Sequence, residues 1–301
     1  MAHLPVLLEE SVRGLRIRRD SLVIDATADG GGHASEFLKK LGRRGKLILL
    51  DWDPEMISIL RKKFGNEGRV RIFHLNFQDI RKLGESQSAG WRRPDAIFFD
   101  LGLSSLQLDA PGRGFSFQRD EPLIMRFDPL SGPTAAEYLA RANKDELAEV
   151  IWKYGEERAA RKIAEAIVRS RHRQKIRTTA DLRRIIEKVL PRRGKIHPAT
   201  RTFQALRIYL NGELRNLEQG LENGFEILKP GGRMAAISFH SLEDRIVKNF
   251  FKDRMRAGVA GLVTKKPLLP SALEIFENPR ARSAKLRILE KNDKKDDKNN
   301  R

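Results

Sequence analysis

The residues best suited to chemistry are Asp51 and Asp100, each closing an apolar run, together with the turn Asp29-Gly30-Gly31-Gly32-His33. Glycine permits positive φ and a close approach of backbone to ligand, and the first N–H groups of a following helix lack intrahelical partners. That combination makes a nucleotide pocket. A carboxylate about 20 residues further on, at the end of the next strand, then accepts hydrogen bonds from ribose hydroxyls. Asp51 stands there, after Lys46-Leu47-Ile48-Leu49-Leu50. Asp100 follows Ile97-Phe98-Phe99, with Ser104 and Ser105 just beyond it. A carboxylate and two hydroxyls thus gather at a strand end where open parallel sheets bind ligands, although the serines equally suit a helix cap. Two cofactor classes fit, nicotinamide dinucleotides and S-adenosylmethionine. The Gly-x-Gly-x-x-Gly fingerprint of the first is absent, because His33 directly follows the three glycines, and this favours the methyl donor without closing the choice.

These groups need a parallel sheet to hold them. Short apolar, β-branched runs at residues 22–26, 47–50, 70–73 and 96–99 alternate with helical stretches at 34–41 and 54–64, the rhythm of βαβ units. Asp53-Pro54 gives the second helix an N-cap and a first-turn proline. After Asp100 the rhythm stops. Residues 102–133 are rich in Gly, Pro, Ser and Arg, and helical patterns run from 134 to 189. The sheet resumes late, with one long helical pattern over 200–228, a break at Lys229-Pro230-Gly231-Gly232 and a strand over 233–239. A further strand is expected at 285–289, and the charged stretch 291–301 is expected to be disordered.

The chain of 301 residues carries 59 Lys and Arg against 40 Asp and Glu, a formal charge of +19. The excess is concentrated between Lys153 and Arg207, where 17 basic residues face 5 acidic ones, a net +12. A polyanion is the expected partner. There is no cysteine, which excludes disulfides, thiolate nucleophiles and cysteine-ligated metal; no metal is expected. No apolar run approaches 18 residues and residues 1–11 carry no secretion signal, so a cytoplasmic protein with no membrane partner is expected.

Nine segments, in order, carry a resemblance to a known family: His3-Leu4-Pro5-Val6-Leu7-Leu8, Gly30-Gly31-Gly32-His33, Asp51-Trp52-Asp53-Pro54, Asp100-Leu101-Gly102-Leu103-Ser104-Ser105-Leu106-Gln107-Leu108-Asp109, Arg113-Gly114-Phe115-Ser116, Tyr154-Gly155-Glu156-Glu157, His197-Pro198-Ala199-Thr200-Arg201-Thr202-Phe203-Gln204-Ala205, Ser238-Phe239-His240-Ser241-Leu242-Glu243-Asp244-Arg245 and Glu277-Asn278-Pro279-Arg280-Ala281-Arg282-Ser283. Together they make residues 3–290 resemble the bacterial RsmH (MraW) family. The resemblance implies an α/β fold, a class I (Rossmann-like) S-adenosylmethionine-dependent methyltransferase domain at 1–107 and 199–290 with an inserted, mainly helical RNA-substrate domain at 108–198. It implies methylation of the exocyclic N4 of a cytidine in the decoding region of 16S ribosomal RNA. It further implies that Gly31, Gly32 and His33 contact the donor, that Asp51 holds its ribose, that Phe77 lies along the adenosine, and that Asp100 and Gln107 complete the donor set. Naked RNA and the assembled small ribosomal subunit both stay open as substrate, as does a homodimer.

Amino-group methylation asks for acceptors near the nucleophile, because the cytosine N4 lone pair is delocalised into the ring. Asp100, Ser104 and Ser105 are the candidates by position, with His240 as a second wall or proton acceptor. Unstacking a base and holding its backbone calls for cations and apolar surfaces. Arg158, Arg161, Lys162, Arg169, Arg171, Arg173, Arg177, Arg201 and Arg207 are candidates for the phosphates, and Arg113, Phe115, Phe117 and Trp152 for the base, the last two equally suited to a core. Two positions depart from the family pattern: Asp29 stands where glycine is usual, and Ile124 replaces the acid of Pro-Leu-Asp-Met-Arg. A nicotinamide-dependent oxidoreductase and a non-catalytic ribosome-assembly factor are the rival readings; a DNA aminomethylase lacks its Pro-Pro-aromatic segment at Leu101-Gly102-Leu103.

Overall fold

Apolar runs without a polar face make stable strands only where both sides of the sheet are covered, and Leu22–Asp25 (β1) is such a run, buried at all four positions. The computed structural model describes residues 5–85, 92–130, 132–191 and 197–293; His3, Leu4 and most of the expected disordered tail lie outside them. The chain divides into two compact units, residues 1–102 with 214–301 and residues 103–213. The first unit begins with α1 (Leu8–Gly14), β1, α2 (Gly32–Lys40), β2 (Lys46–Asp51), α3 (Pro54–Phe64), β3 (Val70–His74), α4 (Lys82–Glu85) and β4 (Ala96–Asp100). The second unit holds α5 (Ser105–Asp109), α6 (Ala135–Arg141), α7 (Lys144–Gly155), α8 (Ala160–Arg171), α9 (Thr179–Val189) and α10 (Ala199–Asn211). The chain then returns to the first unit through α11 (Glu213–Ile227), β5 (Arg233–Ser238), α12 (Ser241–Arg256), β6 (Ala260–Leu262), α13 (Ala272–Glu277) and β7 (Lys285–Lys291).

The seven strands lie in the order β3-β2-β1-β4-β5-β7-β6. The first five are parallel and β7 runs antiparallel to both its neighbours, the class I methyltransferase sheet. Strand order reverses between β1 and β4, and the crevice outside the carboxyl ends at that reversal is where such sheets bind ligands. One sheet face buries Val23, Leu49 and Phe98 under Phe37, Leu60 and Phe64 of α2 and α3. The other buries Ile24, Ile48 and Phe99 under Leu221 and Phe225 of α11 and Phe251 of α12.

Three boundaries differ from the sequence reading. The long helical pattern over 200–228 is two helices, because Gly212 adopts φ 61° and caps α10 in the left-handed region that ends helices. The second unit spans 103–213, wider than the inserted segment 108–198. Its extra helix, α10, lies so close to α7 that a Cβ on Gly155 would sit 2.5 Å from the Arg201 carbonyl oxygen, and Asn211 binds the backbone of Met125 and Phe127. Lys291, assigned to the tail, is the last residue of β7, where its N–H donates to the Gly232 carbonyl.

Candidate active site

Each of three adjacent strands ends in an aspartate: Asp25 on β1, Asp51 on β2 and Asp100 on β4. In the parallel register Asp25 pairs with Leu49 and Phe98, so Asp51 and Asp100 each extend two residues beyond it, and Asp29 in the turn after β1 adds a fourth carboxylate. Burial, with Asp29 nearby, raises the Asp25 carboxyl to about 7, although the Thr27 amide works against it. Asp51 is raised to about 8 by burial and its acidic neighbours, against the backbone N–H groups of Asp53 and Asp29, each donating to one of its oxygens at 2.9 Å. Asp100 is raised well above the ordinary range by burial and by Asp25, Asp29 and Glu243. Like charges this close in a dry setting resist simultaneous ionisation. A cation brought to these strand ends would relieve the repulsion.

His33 lies behind this edge. Its imidazole is buried, with Nε2 3.0 Å from the Val6 carbonyl oxygen and Nδ1 3.4 Å from Asp100 Oδ2. A carbonyl only accepts, so Nε2 carries a hydrogen, and Nδ1 faces the Asp100 carboxyl. The other Asp100 oxygen, Oδ1, is buried without a hydrogen-bond partner among the described residues. An acceptor in that condition is costly unless a ligand donor meets it.

The glycines also serve the packing around the turn. A Cβ on Gly31 would lie 2.5 Å from the Phe64 ring, and one on Gly32 would lie 2.8 Å from the Pro5 ring. These positions admit α3 and the N-terminal segment as neighbours. Gly31 also sits at φ 72°, and Lys63 of α3 donates to the carbonyls of Gly30 and Gly31 at 3.2 and 2.9 Å. Gly31→Ala is expected to cost about 2–4 kcal/mol, combining left-handed strain with overpacking, read as a lowered urea midpoint. Asp29 itself has φ 46°, the left-handed conformation that explains why glycine suits this position.

Phe77 opens a short 3-10 helix, meets Phe99 edge-on at 5.7 Å and lies against Gly220, where a Cβ would be 2.5 Å from its ring. Ser104 is the N-cap of α5: its hydroxyl accepts the Gln107 N–H at 3.1 Å, and Gln107 Oε1 accepts the Ser104 N–H at 3.2 Å. The capping alternative therefore describes Ser104; Ser105 starts the helix. His240 caps the start of α12. Its Nδ1 accepts the Glu243 N–H at the start of α12, so the neutral ring carries its hydrogen on Nε2, which lies 3.1 Å from Glu243 Oε1 but out of line for a hydrogen bond. That ring donates.

On the second unit, the cations expected to meet phosphate separate into two kinds. Arg158, Arg161, Lys162, Arg169, Arg173 and Arg177 are exposed, and Arg201 is half-exposed with Nη1 on the Glu156 carbonyl. Three others are consumed internally. Arg113 is buried and donates to the carbonyls of Arg126 and Phe127. Arg171 donates to those of Leu139 and Ala142 at 2.8 and 2.6 Å, and Arg207 forms a two-pronged pair with Glu213 at 2.8 and 2.9 Å. Phe115 is buried on Phe127 with ring centroids 5.1 Å apart, so it belongs to the core of its unit, whereas Phe117 is half-buried and stacked at 4.7 Å on His197. Helix ends leave carbonyls without partners, and a guanidinium fork fills them well; composition alone hides this use. Arg171→Ala is expected to lower stability by about 2 kcal/mol, the worth of hydrogen bonds from a charged donor, whereas Arg169→Ala should leave the denaturation midpoint unchanged. At the Ile124 departure, Arg126 Nη1 reaches the Gly132 carbonyl while its buried Nε has no hydrogen-bond partner among the described residues.

Asp25, Glu243 and Lys63 were not singled out in the sequence reading. A signal existed for Asp25, since β1, β2 and β4 all end in two apolar residues followed by Asp; Glu243 and Lys63 gain their places only through tertiary packing.

The sheet order and the acids on its strand ends define a class I methyltransferase. More particularly, the chain belongs to the MraW methylase family, which matches it over residues 1–292. It is 45% identical over 303 residues to the ribosomal RNA small subunit methyltransferase H of Stenotrophomonas maltophilia (strain K279a), covering 96% of this chain and 93% of that one. The protein of the same name from Xanthomonas oryzae pv. oryzae (strain PXO99A) is 46% identical over 304 residues, covering 96% and 89%. Among solved structures, an rRNA methylase from Streptococcus thermophilus aligns with a TM-score of 0.44 at 11% identity, over 95% of this chain and 94% of that one.

Proposed function

We propose that this chain transfers a methyl group from S-adenosylmethionine to the exocyclic N4 of a cytidine in the decoding region of small-subunit ribosomal RNA. Family membership and the names of its relatives support a ribosomal RNA substrate. The observation that carries the site assignment is the row of buried carboxylates on β1, β2 and β4, which suits a sulfonium cation and its ribose. When bound, the donor supplies an electrophilic methyl carbon on a positively charged sulfur.

The chain's own residues do the rest. The two backbone amides on Asp51 fix its carboxylate, and each oxygen keeps a second lone pair for ribose hydroxyls. Asp100 Oδ1 accepts an N–H of the target amino group, which localises its lone pair and directs it at the methyl carbon. Methyl gain would leave the nitrogen cationic with a proton to lose, and Asp100 is placed to accept that proton and pass it to solvent. A carboxyl held well above its usual range by burial is a stronger base than an exposed one. His33 positions it, and the exposed cations of α8 and its flanks hold the RNA backbone. The chain has no cysteine, so the ring-addition route common in carbon-5 methylation is closed to it. No described helix is long and apolar enough to cross a membrane, in keeping with action on ribosomal RNA in the cytoplasm.

The test is methyl transfer from labelled S-adenosylmethionine to small subunits lacking the modification, with the product nucleoside identified by mass spectrometry. N4-methylcytidine at one position is the expected product. A different methylated nucleoside would overturn the base assignment, and donor binding with RNA binding but no transfer would favour an assembly factor.

A further inference from the structure

We propose that a groove on the second unit, between α7, the start of α8 and the end of α9, takes one unpaired nucleotide of single-stranded RNA, its base on the indole of Trp152 and its phosphate among Arg158, Arg161 and Lys162. This rests on the reading of the chain as an RNA-acting enzyme and deepens it by giving the α8 cations and Trp152 a single nucleotide to hold in one groove. The groove encloses about 1020 Å³, at the upper end of the roughly 300–1,000 Å³ typical of small-molecule sites, and it admits a nucleotide readily.

Trp152 lines it and is 66% exposed. A tryptophan that has joined a core shows far less of itself, and large aromatics left in the open beside cations mark binding surfaces. Arg158, Arg161 and Lys162 line the same groove; all three are exposed, and none has an ion-pair partner among the described residues. The start of α8 lacks acidic residues and a side-chain cap, so Arg161 and Lys162 stand where the helix dipole already disfavours cations. An anion relieves that arrangement.

Two carboxylates, Asp145 and Glu149, line the α7 wall. They settle the choice of occupant. An acidic polypeptide gains from the three cations but is repelled by the carboxylates. A nucleotide offers phosphate to the cations, a π-face to the indole and, in cytosine, adenine or guanine, amino hydrogens to the carboxylates.

The test uses the full chain and fluorescently labelled pentacytidylate, with affinity read by anisotropy for the wild type, Trp152→Ala and Trp152→Phe. Alanine is expected to weaken binding about tenfold, as for loss of one stacked base, and phenylalanine to keep affinity within about threefold because it keeps a π-face. Circular dichroism and S-adenosylmethionine binding should match the wild type for both variants. Equal affinity of the alanine variant and the wild type would overturn the proposal, as would a phenylalanine variant as weak as alanine, or decaglutamate displacing the oligonucleotide as well as unlabelled pentacytidylate does. Methyl transfer to small subunits is measured in parallel. Wild-type protein that binds pentacytidylate through Trp152 yet transfers no methyl group would refute the proposed function and leave the groove assignment standing.

Discussion

Asp100→Asn is expected to lower methyl transfer by about 10²–10³-fold, the usual cost of removing a positioned electrostatic group from a reacting centre, while leaving folding intact or improved. Both halves come from the same surroundings. Asp100 has one oxygen 3.4 Å from His33 Nδ1 and the other buried without a hydrogen-bond partner among the described residues, and burial with Asp25, Asp29 and Glu243 disfavours its charge. Asparagine keeps the shape and a hydrogen-bonding contact to His33 but removes that charge. The folded protein therefore loses a repulsive carboxylate and the reaction loses its acceptor. Single-turnover transfer and a thermal melt at pH 8 decide the matter; turnover within a few-fold of wild type would remove Asp100 from the mechanism.

The second large effect is on pH. With Asp25 at about 7 and Asp51 at about 8, both raised from 3.8 by burial, the folded state holds protons that the unfolded chain releases. For such raised carboxyls the stabilising difference is complete below about pH 4 and is lost as pH rises through 7 and 8. A sulfonium cation reverses the preference by favouring the ionised forms. S-adenosylmethionine should accordingly bind with proton release at neutral pH, and its affinity relative to S-adenosylhomocysteine, which lacks the charge, should rise about tenfold between pH 6 and 8.5, as one unit of pKa shift gives. Calorimetry in buffers of different ionisation enthalpy counts the protons. The same pH profile for both ligands would show that the carboxylates do not sense the sulfonium.

How far the sequence could be read depended on range. The βαβ rhythm, Asp53 as the cap of α3 with Pro54 behind it and the strand-end aspartates Asp51 and Asp100 are local in origin, since apolar runs and caps act over a few residues, and they were legible; Asp25 carried the same local signal and was passed over. The helical pattern over 200–228 ran through Gly212 because glycine inside a helical pattern is often tolerated; its left-handed φ is what divides α10 from α11. The parts of His33 and His240 were illegible because each depends on the far end of a hydrogen bond, a carbonyl at Val6 for one and a helix start for the other. Phe115 and Arg113 stand in a glycine-flanked turn that resembles an exposed loop, yet Gly114 at φ 71° lies so close to the 122–124 backbone that a Cβ there would be 2.3 Å from the Pro122 carbonyl oxygen, which folds the turn inward.

The arginines spent on carbonyls and on Glu213 bear on how this protein would respond to salt. Counterions are released from RNA only by cations that reach it, with log K falling by about 0.7 per phosphate neutralised on a single strand for each decade of salt. Within residues 153–207, Arg171 and Arg207 contribute to the formal charge but face inward or are already neutralised. The ionic-strength slope of RNA binding is therefore set by fewer groups than the net +12 between residues 153 and 207 suggests.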